Sequence, residues 1–134
     1  MLTHTLTFRV RYNECDPMGV AHHAVYPVWL EMGRTELLRE SSNAAVNYRD
    51  LEGQGIFLAV ISLELRYKRP ARYDDELTLR TTLKEAAHVK IQHSYELFKG
   101  DELLATGATT LACLDRNGRV QALPDILKPA MLSQ

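Results

Sequence analysis

The sequence predicts an α+β domain in which an antiparallel sheet of about five strands turns its single apolar face onto one long helix. Three observations carry this. One segment repeats its apolar residues at helical spacing, several others alternate apolar and polar residues with a period of two, and turn residues separate them. All 134 residues read as one domain, 1–134, because nothing repeats at a fixed period and no stretch is rich enough in Pro, Gly or Ser to be a linker.

From Thr5 to Tyr12, Leu6, Phe8 and Val10 alternate with Thr7, Arg9 and Arg11, the pattern of a strand with one buried face. Asn13 to Ala24 holds the turn residues Asp16-Pro17 and Gly19 with no clean period, and reads as a loop. Beyond it, Tyr26, Trp29, Leu30, Gly33, Leu37 and Leu38 recur at helical spacing, while Glu31, Arg34, Glu36, Arg39 and Glu40 largely fill the other positions. Pro27 is tolerated only in a first turn, where its missing N–H would have had no partner, so the helix begins within a few residues of Ala24. Ser41-Ser42-Asn43 ends it, and a shorter helical piece is expected over Ala44 to Leu51, before Gly53 and Gly55.

The second half changes period. Leu63, Leu65 and Tyr67 alternate with charged residues; so do Leu77, Leu79, Thr81 and Leu83 with Thr78, Arg80, Thr82 and Lys84; and Val89, Ile91, His93, Tyr95 and Leu97 with Lys90, Gln92, Ser94 and Glu96. Leu103 to Leu114 is small and apolar nearly throughout, which suits a strand buried on both faces. Lys99-Gly100-Asp101 and Arg116-Asn117-Gly118-Arg119 are the turns that bracket it.

Sixteen Lys+Arg against seventeen Asp+Glu leave a formal charge of −1, so no overall basic field recruits nucleic acid or an anionic membrane surface. No apolar run approaches the roughly 20 residues needed to span a bilayer, and Met1-Leu2-Thr3-His4 lacks the start of a signal peptide, so a cytoplasmic protein is expected without membrane insertion. Cys15 and Cys113 stand far apart without metal-ligand or CxxC spacing, which leaves them as plain thiols and gives no metal site.

Chemistry concentrates in the loop ahead of the helix. Glu14, Cys15, Asp16, His22 and His23 lie where a helix exposes unpaired N–H groups and the positive end of its dipole, a place that favours negative charge. Asp16 can act there as nucleophile or as general base toward water, with a backbone N–H near His23 polarising an acyl carbonyl. Equally, Asp16-Pro17 can simply initiate a turn, with His22 and His23 solvated or capping the helix.

The run from Tyr12-Asn13-Glu14-Cys15-Asp16-Pro17-Met18-Gly19 through Val20-Ala21-His22-His23-Ala24-Val25-Tyr26-Pro27 to Arg34 resembles the signature of the 4-hydroxybenzoyl-CoA thioesterase family of hotdog-fold acyl-CoA thioesterases. Tyr67-Lys68-Arg69-Pro70-Ala71-Arg72-Tyr73-Asp74-Asp75-Glu76-Leu77 resembles the strand, turn and acidic pair that follow the family's central helix. With the closing strand from Thr106 to Asp115 and the late Leu123-Pro124, the similarity covers nearly the whole chain. The resemblance implies a hotdog fold, paired across an edge strand into a dimer, or further into a homotetramer as a dimer of dimers, with active sites at the subunit interface. It implies that Asp16, in the Asp-x-x-Gly motif completed by Gly19, is the catalytic carboxylate, and that His23 supplies the oxyanion N–H. His22 stands where an aromatic residue is usual and Val25 where Asn or Ser is common, both departures that bear on pocket shape. Glu31 and Arg34 also match helix positions of the family. Glu31 is a second candidate acid, although an i, i+3 ion pair with Arg34 accounts for both residues.

CoA phosphates call for basic side chains at the pocket mouth, and Lys68, Arg69, Arg72, Lys84, His88 and Lys90 are taken as the available cluster, with Arg72 and Lys90 ahead. Some relatives carry an arginine pair on the turn between the third and fourth strands; here Ala86-Ala87 fall in that region, and a solvated strand face explains the same charges. The expected activity is hydrolysis of a short-chain, fatty or aromatic acyl-CoA to free acid and CoA, with acyl-CoA and a second copy of the chain as partners and no cofactor. The rival functions are a hotdog enoyl-thioester hydratase or dehydratase, a non-catalytic acyl-CoA or acyl-carrier-protein binding module, and a scaffold.

Overall fold

A computed structural model describes residues 2–41, 47–125 and 127. Strand β1 (Thr3–Arg9) leads through a 3-10 turn at Tyr12–Glu14 and a loop to a second 3-10 turn, His23–Val25, which runs into helix α1 (Tyr26–Ser41). A short helix α2 (Tyr48–Gly53) precedes the strands β2 (Phe57–Tyr67), β3 (Glu76–Ala87), β4 (Lys90–Lys99) and β5 (Glu102–Leu114). They form one antiparallel five-stranded sheet in the order β1-β3-β4-β5-β2, so β1 and β2 are its edges.

The period-two pattern becomes a buried face on the central strands. Leu77, Leu79, Thr81 and Leu83 of β3 and Ile91, His93, Tyr95 and Leu97 of β4 all point inward. Against them α1 buries Tyr26, Trp29, Leu30, Leu37 and Leu38, the residues whose spacing predicts the helix, with Pro27 in its first turn as expected. Gly33 lets the helix approach closely: a Cβ there would overlap the Thr81 hydroxyl and lie 2.8 Å from Leu79 Cδ2. The core divides into two apolar clusters, one around Leu38, Leu51, Leu83, Ile91 and Leu111, the other around Trp29, Leu77, Leu79, Leu97 and Leu104. Between them the sheet carries buried polar side chains on three adjacent strands: Thr81, His93 and Thr109.

Several expectations are corrected. The first strand ends at Arg9, because Glu14 draws the chain at Arg11 into a 3-10 turn by accepting its N–H at 2.8 Å. β2 begins at Phe57, six residues before the expected Leu63, and as an edge strand it leaves Val60, Ile61, Leu63 and Tyr67 exposed, so its apolar alternation does not mark a buried face. β5 is buried on both faces toward its end, at Leu111, Ala112 and Cys113, but not along its whole length, since Ala108 in its middle is exposed. The expected helix end at Ser42-Asn43 and residues 44–46 of the expected shorter helix lie outside the described residues; the described part of that helix is α2, capped by Asn47, whose side chain accepts from Asp50 N at 2.9 Å. No helix among the described residues is long and apolar enough to cross a membrane.

Candidate active site

The loop ahead of α1 is a small hairpin. Asp16 N donates to Val20 O (2.9 Å) and His22 N to Glu14 O (2.9 Å), with Cys15 opposite Ala21. Its tip is a β-turn closed by Gly19 N to Asp16 O at 2.9 Å: Pro17 presets the backbone, and Gly19 takes a φ of +79° that side-chain-bearing residues rarely adopt. The turn chemistry of Asp16 is therefore real, since its Oδ1 accepts from Met18 N at 2.9 Å and Val20 N at 3.4 Å. Among the described residues Asp16 Oδ2 has no hydrogen-bond partner, so the turn fixes the half-buried carboxylate and leaves one oxygen available.

Two clamps hold this hairpin, and neither stands out in the sequence. Glu14 is buried; one of its oxygens accepts from Arg11 N, the other from Arg11 Nη2 at 3.2 Å and from Trp29 Nε1 at 3.0 Å. Burial alone would raise its pKa, but the Arg11 and Trp29 bonds and the Arg11 charge outweigh it, so Glu14 is held below the ordinary carboxylate range. On the other side, Ala21 N donates to Ala71 O at 2.7 Å and Tyr73 N to Gly19 O at 3.1 Å, tying the hairpin to the segment before β3. That segment is itself fastened by Asp75, which accepts from Arg72 N and pairs with Lys99 Nζ, both at 2.9 Å. Burial pushes Asp75 up, and Lys99 and the Arg72 N–H more than reverse it.

The helix start completes the site. His22 is its cap, its Nδ1 accepting from Ala24 N at 3.0 Å, while Val25 N donates to His22 O. His23 stacks its exposed ring on His22, and its carbonyl accepts from Tyr67 Oη at 3.3 Å. Its own N–H meets no acceptor among the described residues, the kind of free donor that polarises a carbonyl. One helical turn further on, a groove of about 300 Å³ opens between α1 and β2, walled by Val28, Leu30, Val60 and Leu63 and ending at Glu31 and Arg34. Glu31 is exposed and pairs with Arg34 at 3.7 Å, the i, i+3 partnership its spacing allows.

The basic residues expected to act together are not together in one chain. Lys68, Arg69 and Arg72 stand beside the hairpin, where Arg69, Arg72 and Lys99 line a groove of about 220 Å³. Lys84, His88 and Lys90 lie toward the opposite end of the sheet: Lys84 is eight residues along β3 from Glu76, roughly 26 Å at about 3.3 Å per residue, and His88 and Lys90 follow the strand's far end at Ala87. The expectation of a single cluster fails because nearness in sequence across β3 is not nearness in space. Pattern reading missed the roles of Glu14, Asp75 and Tyr67 in holding the site; a buried carboxylate reaching a tryptophan fifteen positions away has no local signal.

Residues 10–132 match the thioesterase-like superfamily. The chain is 31% identical over 120 residues to the acyl-CoA thioesterase YbgC of Haemophilus influenzae, covering 86% of this chain and 85% of that protein. Among solved structures, a protein of Thermus thermophilus is 34% identical with a TM-score of 0.86, covering 95% of each chain. The DHNA-CoA thioesterase of Staphylococcus aureus is 28% identical with a TM-score of 0.83, covering 92% of this chain and 80% of that one. The sheet wrapped on its long helix is thus the hotdog fold, and the chain belongs to the thioesterase-like superfamily.

Proposed function

We propose that the protein hydrolyses the thioester of an acyl-CoA to the free acid and CoA. The observation that carries this reading is the half-engaged Asp16 carboxylate, clamped in a hairpin beside a helix start whose His23 N–H is free. The thioester carbonyl oxygen would accept from that N–H, and Asp16 would serve as general base toward water or as nucleophile. In the first case a hydroxyl adds to the carbonyl carbon as Asp16 takes the proton, the C–S bond breaks, and the proton goes to the CoA thiolate. In the second, an acyl–Asp16 anhydride forms as the thiolate leaves, and water then cleaves it. Acid–base or covalent participation of this kind is typically worth ~10²–10⁴ in rate.

The groove along α1 would take the acyl group, and Lys68, Arg69 and Arg72 the CoA phosphates. Lys90 and His88 could reach CoA only from another copy of the chain. A second copy also answers the exposed apolar β2 edge: pairing there would satisfy an open strand and close the groove, making a homodimer the working unit and a dimer of dimers its extension. Hydrolysis of CoA thioesters in the cytoplasm, without cofactor or metal, is the corresponding role. The test is a panel of short-chain, fatty and aromatic acyl-CoA substrates followed by free-thiol detection. Thiol release from at least one class is expected; release from none would overturn the reading.

A further inference from the structure

We propose that the polar layer at the inner end of the acyl groove, led by Arg34, selects acyl groups bearing a carboxylate at the end remote from the thioester. This rests on the thioesterase reading above and names its substrate class. Arg34 is only 8% exposed, yet its one carboxylate neighbour among the described residues is Glu31 at 3.7 Å, which is itself 69% exposed at its side chain. A guanidinium withdrawn from water calls for closer pairing than that.

The surroundings are equally undersupplied. Among the described residues His93, which is 2% exposed, has no partner on either ring nitrogen, the Thr81 hydroxyl has none, and Arg34 meets only the neutral Tyr48 and Tyr95 hydroxyls besides Glu31. Buried polar groups in proteins are almost always hydrogen-bonded, so several together mark a place built to meet something polar. They sit with Arg34: its charge acts on Tyr48, His93 and Tyr95, and His93 is the cross-strand neighbour of Thr109, which lines the groove. His93 stays neutral, its pKa pushed down to about 3 by burial and then by Arg34, so it offers a donor without a second charge.

The charge of the ligand follows from the side chains. Glu31 and Arg34 also border a second, polar groove that holds Arg39, Arg49 and Glu52; Arg39 is paired with Glu36 and, among the described residues, Arg34 only with the exposed Glu31, so Arg34 is the buried cation facing the acyl groove. An alkyl tail reaching Arg34 would strip water from the cation and return nothing, whereas a carboxylate would supply a charge-assisted, bidentate bond. The geometry suits a chain spanning two fixed ends. Eleven residues of helix separate His23 from Arg34, roughly 16 Å along the axis, and a helical side chain leans back toward the N-terminus, shortening that path. The apolar walls of Val28, Leu30, Val60 and Leu63 suit the methylenes between. The substrate class is therefore the monothioester of a dicarboxylic acid with CoA.

The experiment compares matched pairs: glutaryl-CoA with pentanoyl-CoA, adipyl-CoA with hexanoyl-CoA, and suberyl-CoA with octanoyl-CoA. For at least one pair the wild-type protein should favour the carboxylate by about 10- to 100-fold in kcat/KM, the range of a charge-assisted bond, and Arg34→Met should erase that preference while Arg34→Lys keeps part of it. Equal kcat/KM within every pair, or a preference that survives Arg34→Met, would overturn the inference while leaving thioester hydrolysis intact. Cleavage of no acyl-CoA of any class would instead overturn the thioesterase reading. Should Arg34→Met fail to fold, the wild-type ratios still decide.

Discussion

Acidification should unfold this protein through His93 before it does so through its carboxylates. His93 is buried against the sheet, and burial, followed by the Arg34 charge, lowers its pKa from 6.5 to about 3. Unfolding returns it to water and its ordinary pKa, so between these values the unfolded chain holds a proton that the folded one refuses. Stability from this group is complete above the unfolded pKa and is lost as pH falls toward the folded one. From about pH 7 to about pH 5 the unfolded His93 goes from mostly neutral to almost fully protonated, which costs the folded state about 2 kcal/mol, or roughly 6 °C in Tm for a chain of this length. Glu14 and Asp75, both held low, lose their stabilisation mainly at lower pH, as it falls below the ordinary carboxylate range. Urea unfolding at several pH values, for the wild type and for His93→Leu, isolates the effect: the variant's stability should fall less over this range by about that amount. Parallel profiles would show that His93 protonates as readily in the folded protein as in the unfolded chain, and would refute the reasoning.

Gly33→Ala should destabilise by about 1–3 kcal/mol, because its methyl meets the Thr81 hydroxyl and Leu79, and adding Thr81→Ala should return part of that loss; additive losses in thermal denaturation would contradict the contact. Leu63→Lys, at a β2 position 44% exposed in the single chain, should convert the protein to monomers and lower its activity, as sedimentation and thiol release would report; an unchanged oligomer would exclude this edge as the interface. Treatment with EDTA should leave thiol release unchanged, because among the described residues no three His, Cys, Asp or Glu side chains gather to hold a metal; loss of activity restored by a divalent ion would remove the mechanism.

The helix was legible because Tyr26, Trp29, Leu30, Leu37 and Leu38 keep one spacing, and burial against a sheet requires that stripe. The inward positions of β3 and β4 were legible for the same reason, and alternation already set Thr81 and His93 among the apolar residues. Their neighbours in space were not: the register that brings His93 beside Thr109 is a property of strand pairing, which periodicity does not report. The β2 edge misled because alternation records which residues are apolar, not whether this chain covers them. At the loop, Asp16-Pro17 and Gly19 signal a turn by local chemistry alone, whereas the clamps from Glu14 to Trp29 and from Ala21 to Ala71 depend on the assembled fold.

The central claim is that Asp16 performs the chemistry and the helix only frames it. Measuring kcat for Asp16→Asn, Glu31→Gln and His23→Ala beside their melting temperatures tests it directly. Asparagine keeps an acceptor for Met18 N and Val20 N, so folding should survive while kcat falls at least about a hundredfold, and His23→Ala, which retains the backbone N–H, should cost only about tenfold. Wild-type turnover in Asp16→Asn together with its loss in Glu31→Gln would move the catalytic acid onto the helix and reduce the Asp16 loop to a turn.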